Sequence, residues 1–428
     1  MSKVRPGYRQ TEVGIIPEDW EVEPVGALIG LLDAGVSVRS VPGDFAAIAH
    51  DEMVLKTSCI SKGRFTPSEA KPILPADLPR AKTPAKRNTM LISRMNTPNL
   101  VGEVGFVEGD YPKLFLPDRL WMAAPAAGRK VNMRWLTALL AHSSAGKALR
   151  DTATGTSGSM KNISKPGLRG VLVPSPKPEE QHAIAEALGN ADALIEGLET
   201  LIAKKRDIKQ GAMQELLTGH RRLVGFGSRW KPIRIGDIYA FKNGLNKSKT
   251  YFGQGTPIVN YMDVYRSSGL RRVALAGLVT VNADEMQSYS AQKGDVFFTR
   301  TSETQDEIGI ASVLIEDIES CVFSGFLLRA RPKSDLVDSN FAMYCFSSHD
   351  VRQQIISRSS YTTRALTNGR SLALIELRLP PTDEQRAIAA VLSDMDAGIA
   401  ALEDKLAKAR SVKRGMMQVL LTGEIRLI

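Results

Sequence analysis

Residues 181–223 and 385–427 are two copies of one segment. At a constant offset of 204 and without a gap, 23 of their 43 aligned positions are identical. A chance match of that density over that length is very improbable, so the chain is expected to run unit–helix–unit–helix. The expected segments are a globular unit at 1–178, a helix at 179–223, a second unit at 224–381 and a second helix at 382–428.

Each copy reads as one long helix. In the first, Ile184, Leu188, Ala191, Ile195, Leu198 and Ile202 follow a 4-3-4-3-4 spacing; Ile388, Leu392, Met395, Ile399, Leu402 and Leu406 hold the same places in the second. That is a heptad-like seam of about three heptads, which then drifts through Ile208 and Val412 to Leu216 and Leu420. Pro178 with Glu179 and Glu180 suits a helix start, as does Thr382 with Gln385 in a capping box. Gly219 and Gly423, each after Leu-Leu-Thr, are stop signals. Some 40 residues make a rod of about 60 Å. Two matching seams in one chain are expected to pair as an antiparallel coiled coil, the bland alternative being that each helix packs only on its neighbouring unit. Gly211 and Gly415 sit mid-helix at a cost of about 1 kcal/mol each relative to Ala, which points to close helix packing there, with a hinge as the lesser alternative.

The globular units have diverged further but keep one order of elements. Each opens on a Trp segment (Trp20, Trp230) and continues with short apolar runs split by turn residues, such as 90–94 with 101–107 and 296–300 with 308–315. A helix-like stretch follows at 134–150 and 340–358, then a Ser/Thr-rich loop at 151–164 and 359–368. Strands mixed with helices make each an α/β (α+β) unit.

Charge separates the parts. The chain carries a formal +10. Residues 1–178 hold +8 and residues 224–381 hold +4, while the helical segments hold −2 and 0. The excess therefore lies on the globular units, which are the parts expected to meet a polyanion.

No catalytic motif accompanies that charge. GTSGSMK at 155–161 lacks the spacing of a phosphate loop, no Gly-rich dinucleotide fingerprint follows a strand, and the five His show no metal-ligand spacing. Three cysteines without a CxxC pair argue against a disulfide framework or a cysteine zinc site. With no run of 18 apolar residues and no signal-peptide core in MSKVRPGYRQ, the chain is expected to be soluble and cytoplasmic.

The helices ending QELLTG and QVLLTG, their proline-then-EEQ and DEQ entries, the opening TEVGIIPEDWEV and the duplicated units together resemble the specificity subunits of type I restriction–modification systems, over essentially the whole chain. The resemblance implies two target-recognition domains, each reading one half of a bipartite site in double-stranded DNA. It implies a helical spacer that sets the gap and docks two modification (methyltransferase) subunits, and restriction/translocase subunits in the full complex. No cofactor is then expected on this chain. S-adenosylmethionine, ATP and Mg would belong to the partners, as would adenine methylation and cleavage. The competing readings are a stand-alone DNA-binding regulator, a coiled-coil scaffold without enzyme partners, and a methyltransferase or nuclease in its own right, which the missing motifs count against.

Base edges are read by Arg/Lys at guanine and Asn/Gln at adenine, and phosphates by Lys/Arg, Ser/Thr and backbone N–H groups. On that chemistry the candidates in the first unit are Ser37, Arg39, Lys62, Arg64, Arg94, Asn96, Thr97, Asn99, Lys161 and Asn162. In the second they are Asn246, Lys247, Ser248, Lys249, Asn260, Tyr261, Arg300, Thr301, Thr363, Arg364 and Asn368. Arg94 and Arg300 form the best pair, since each follows an apolar run and a Ser or Thr. Off the seam, Glu196, Glu199, Glu403 and Asp404 are candidates for meeting modification subunits.

Overall fold

A computed structural model of the chain describes residues 4–40, 51–155 and 159–427. His50 and residues 156–158 of the loop at 151–164 lie outside the described residues. Two compact units form: residues 1–198 with 405–428, and residues 199–404. Both long helices, Pro178–Thr218 and Thr382–Leu420, are continuous through the division.

In the first unit the main sheet runs Ile29–Ala34, Leu120–Pro125, Thr89–Ser93, Val104–Val107, Gly63–Phe65, Ile60–Ser61. In the second it runs Tyr239–Asn243, Leu327–Pro332, Val296–Thr299, Ala311–Leu314, Gly269–Leu270. Order and direction agree: the central pairs are antiparallel, and the fourth and fifth strands pair parallel in both. A four-stranded sheet accompanies each, again with a parallel central pair, Met53–Leu55 beside Tyr111–Phe115 and Phe252–Val259 beside Cys321–Phe323. The duplication therefore extends to topology where residue identity has faded. The central strands Thr89–Ser93 and Val296–Thr299 are wholly buried, which is why they read as continuous apolar runs rather than alternating ones.

The helix-like stretches are two helices each. Met133–His142 breaks at Ser143, whose hydroxyl accepts from the Ala145 N–H to start Ser144–Asp151. Ser339–Cys345 and His349–Ser357 repeat the arrangement.

Within each unit one long helix enters and the other leaves, antiparallel. In the first unit Arg426 pairs with Glu180 and Lys413 with Asp192; in the second Arg222 pairs with Glu384 and Lys209 with Asp396. As one number rises by about a dozen the other falls by as much. The seam is buried at Ile184, Leu188, Ile195, Ile202, Ile388, Leu392 and Ile399 and half-buried at Leu198, Leu402 and Leu406. Both packing alternatives hold at once. Ile184 and Leu188 share a core with Trp135 and Leu139 of the globular part as well as with Leu420 of the other helix, and Ile388 and Leu392 do the same with Phe341 and Leu216.

Three helix expectations need correction. Ile208 and Val412 are about half exposed, because the seam moves past them to Lys209, Ala212, Lys413 and Met416. Gly211 and Gly415 are exposed, and an added Cβ at either would meet nothing within 4 Å, so close packing is not their reason. Finally, Thr382 lies inside the helix, with Pro381 accepting its first bond, and Gln385 does not close a capping box. Its side chain instead accepts from the Asp338 N–H and donates to the Leu336 and Pro380 carbonyls. Gln181 likewise accepts from the Asn132 N–H and donates to Pro176. Asn132 and Asp338 are the N-caps of equivalent helices. The glutamine of each EQ pair thus ties a long helix to its globular unit.

The glutamates of those pairs close a clasp. Glu180 accepts from Trp20 Nε1 (2.9 Å) and from Arg426 Nε and Nη2 (2.7 and 2.8 Å), while Asp19 takes the far side of the same guanidinium. Glu384 accepts from Trp230 Nε1 (3.2 Å) and from Arg222 Nε and Nη2 (2.5 and 2.6 Å). Gly423 (φ +70°) fits only without a side chain, since a Cβ would stand 2.6 Å from the Pro17 ring; at Gly219 a Cβ would meet Trp230 at an ordinary 3.4 Å, and the left-handed φ of +74° is what favours glycine.

Candidate nucleic-acid interface

Both main sheets end on the same backbone scaffold. In the first unit the Arg94 N–H donates to the Arg119 carbonyl (3.1 Å), and the Arg94 carbonyl accepts from the Ile163 N–H (2.8 Å). In the second the Arg300 N–H donates to the Phe326 carbonyl (3.2 Å), and the Arg300 carbonyl accepts from the Thr367 N–H (3.0 Å). Arg94 and Arg300 therefore occupy one structural position. Beyond it short ladders bring distant loops together: Met95 and Asn96 pair with Asn162 and Lys161, and Thr301 and Ser302 pair with Leu366 and Ala365. A third loop joins each group. Gly35 and Val36 donate to the carbonyls of Leu120 and Leu116, which places Ser37 by that turn; Leu245 donates to Phe323, and the Asn246 carboxamide lies against Gly325.

The result is two equivalent clusters. In the first unit it gathers Ser37, Arg94, Asn96, Thr97, Lys161 and Asn162; in the second, Asn246, Arg300, Thr301, Thr363 and Arg364. Thr97 and Asn99 are exposed on the loop leaving the first ladder, and Thr363 and Arg364 on the loop entering the second. Arg94 lays its guanidinium over the Trp121 ring at 5.3 Å. Arg300 Nη1 donates to the Gly325 carbonyl at 3.0 Å. Asn96 accepts from the Thr97 N–H and donates to Ser93 Oγ, and Lys161 donates to the Gly155 carbonyl.

Other candidates have structural duties. Arg39 is held by Asp77 through its own N–H, Nε and Nη2, and this pairing holds the Asp77 carboxyl down at about 2. Lys247 is largely buried between Glu285, the Thr280 carbonyl and the Tyr251 ring. The Asn260 N–H donates to Asp263 at a helix start, and Asn368 accepts from the Arg370 and Ser371 N–H groups as an N-cap. Lys62 and Arg64 lie at the far edge of the sheet, two strands from Arg94, lining a cavity of about 280 Å³ with His142, Asp192 and Lys413. Ser248 and Lys249 are exposed, the former bonded to Thr250. Tyr261 stacks on Tyr265 with centroids 6.1 Å apart, in a cavity of about 470 Å³ with Phe326 and Arg364.

Arg119, Tyr265 and Phe326 escaped the sequence reading. The signal was a turn before the second sheet strand, PDRLW at 117–121 and SGFLL at 324–328, which only the shared topology makes equivalent.

Among the described residues no group of three His, Cys, Asp or Glu could hold a metal ion, and no helix is long and apolar enough to cross a membrane. The three cysteines are buried and unpaired; burial pushes the Cys59 and Cys321 thiols up to about 12.

Residues 227–409 match the family described as the type I restriction modification DNA specificity domain. The chain is 24% identical to a putative type I restriction enzyme MjaX specificity subunit of Methanocaldococcus jannaschii, over 98% of this chain and 97% of that one. It is 21% identical to the type I restriction enzyme EcoKI specificity subunit of Escherichia coli K12, over 96% of this chain and 90% of that one. Among solved structures, the S subunit of a type I restriction–modification system from M. genitalium superposes with a TM-score of 0.55 at 14% identity, covering 98% of this chain and 97% of that one.

Proposed function

We infer that the chain belongs to the specificity subunits of type I restriction–modification systems and reads DNA for such a complex without itself being catalytic. The observation that carries this is the duplicated cluster. One basic and amide-rich loop group, centred on Arg94 or Arg300, recurs at the same sheet end of two topologically equal units, while the charge excess is confined to those units. Exposed loops on a rigid sheet can reach base edges, and Lys, Arg and hydroxyl groups beside them can hold the phosphates.

The chain binds DNA and assembles with other restriction–modification subunits. In finer terms, each unit reads one half of a bipartite duplex site, and the paired helices set the gap and dock two modification subunits. Restriction subunits join that core. S-adenosylmethionine, ATP and Mg belong to those partners, and methyl transfer to adenine and DNA cleavage take place there.

Co-expression with the modification subunit, followed by methylome sequencing of the host, tests this. The expected result is a complex with two modification subunits per chain and adenine methylation at one split sequence. A chain that purifies alone and leaves no methylated motif would refute it.

A further inference from the structure

The two clusters share a backbone but present opposite chemistry at one point. The residue whose carbonyl receives the Arg94 or Arg300 N–H is Arg119 in the first unit and Phe326 in the second. Both precede the strand next to the central one, Leu120–Pro125 and Leu327–Pro332. Arg119 is exposed, and its guanidinium has no hydrogen-bond or ion-pair partner among the described residues. Phe326 is 65% exposed, more than any other aromatic ring described. It shares its cavity with Met262 and Tyr265, themselves about 40% exposed, and with Arg364. An uncovered phenyl ring among apolar neighbours, in a cluster built of cations and amides, marks a contact surface.

We propose that Arg119 and Phe326 are the residues that make the two half-sites differ: Arg119 reads a guanine through its O6 and N7, and Phe326 reads a thymine through its 5-methyl group. This rests on the DNA-reading function proposed above. A free guanidinium at a loop tip matches the two acceptors of guanine, and an exposed ring matches the one apolar feature of the major-groove edges. Arg94 and Arg300 brace the two tips from the equivalent backbone position. Arg300 does so doubly, since it also holds the Gly325 carbonyl next to the ring. Tyr265 is kept beside the ring by its hydroxyl, which donates to Glu307 at 2.7 Å.

The test uses the full chain assembled with its modification subunits, first to select the recognised sequence from random duplexes, then to measure binding to altered copies of it. With the wild-type chain, replacing one guanine of one half-site by 7-deazaguanine, and one thymine of the other by uracil, should each weaken binding by about 10-fold to 100-fold. Arg119→Ala should lose the first penalty and keep the second; Phe326→Ala should do the reverse. Both side chains are exposed, so unchanged melting temperatures are expected to accompany these losses. If a split sequence is selected and both variants retain every preference, the assignment is overturned and the DNA-reading function stands. If Phe326→Ala reduces assembly with the modification subunits while sequence preference persists, the ring is a protein contact and the assignment falls. If the wild-type complex selects no sequence, the function itself fails, and this inference with it.

Discussion

Removing the arginine from one clasp should be far more costly than its position near a helix end suggests. Arg222 makes two short bonds to Glu384, whose side chain is 1% exposed, while the arginine itself is 24% exposed. In Arg222→Ala the carboxylate keeps only the Trp230 N–H at 3.2 Å. A buried charge stripped of its partner costs about 3–5 kcal/mol; with solvent able to enter where the arginine was, the lower end, about 3 kcal/mol, applies. For a unit of this size each kcal/mol shifts Tm by about 2–4 °C, so a fall of about 6–12 °C is expected. Trp230 is the sole tryptophan of residues 199–404, and its fluorescence should change in the transition that moves. Arg221→Ala is the control, since Arg221 is exposed, and should cost under about 0.5 kcal/mol. The double variant Glu384→Leu with Arg222→Met removes both charges and should recover part of the loss. Equal melting temperatures for Arg222→Ala and Arg221→Ala would refute the reasoning.

Further expectations follow from the helices and the core. Leu188→Ala and Leu392→Ala, at positions 3% and 0% exposed, should each cost about 2–5 kcal/mol in chemical denaturation, whereas Ile208→Ala, half exposed on the same helix, should fall within about 0.5 kcal/mol of wild type. Gly211→Ala and Gly415→Ala meet open space and should each stabilise by about 0.5–1 kcal/mol, read as a rise in Tm. Cys59 and Cys321 are protonated at pH 8, because burial raises both thiols to about 12. A thiol-specific reagent should therefore label the native chain at neither residue and the urea-unfolded chain at both.

The repeat made the architecture legible because long helices carry their pattern locally. A seam at i, i+4, i+7 needs no knowledge of distant residues, and Gly219 and Gly423 mark their stops by backbone demand alone. The central strands were legible as apolar runs for the same reason. What the sequence did not reveal depends on contacts far apart in the chain. Gln385 looked like a capping-box member because Thr382 stands three residues before it; its true partners, Leu336 and Asp338, lie nearly fifty residues away. Arg39, Lys247, Asn260 and Asn368 have chemistry suited to DNA, and in the fold they also bond Asp77, Glu285, Asp263 and a helix N-terminus, contacts invisible in linear sequence. Arg119 and Phe326 were invisible in linear sequence because an arginine and a phenylalanine do not look equivalent until the strands following them are superposed. The loop clusters are set by the backbone, since ladders such as Met95–Asn162 and Thr301–Leu366 assemble them whatever each side chain does.

The tail after the second long helix bears on how the molecule is made. Tyr8 donates to the Gly423 carbonyl and Arg426 closes on Asp19 and Glu180, so the first compact unit is finished by residues from 405 onward. Residues 199–404 are contiguous and form one compact unit, so its chain leaves the ribosome in one stretch. The earlier-born unit instead waits, with the side of its core that Leu420 and Leu421 close left open, while some 200 residues are translated. At about 5–20 residues per second that wait is roughly 10–40 s. The order of completion is thus inverted: the second-made unit has its whole chain in hand while the first still lacks its closing segment.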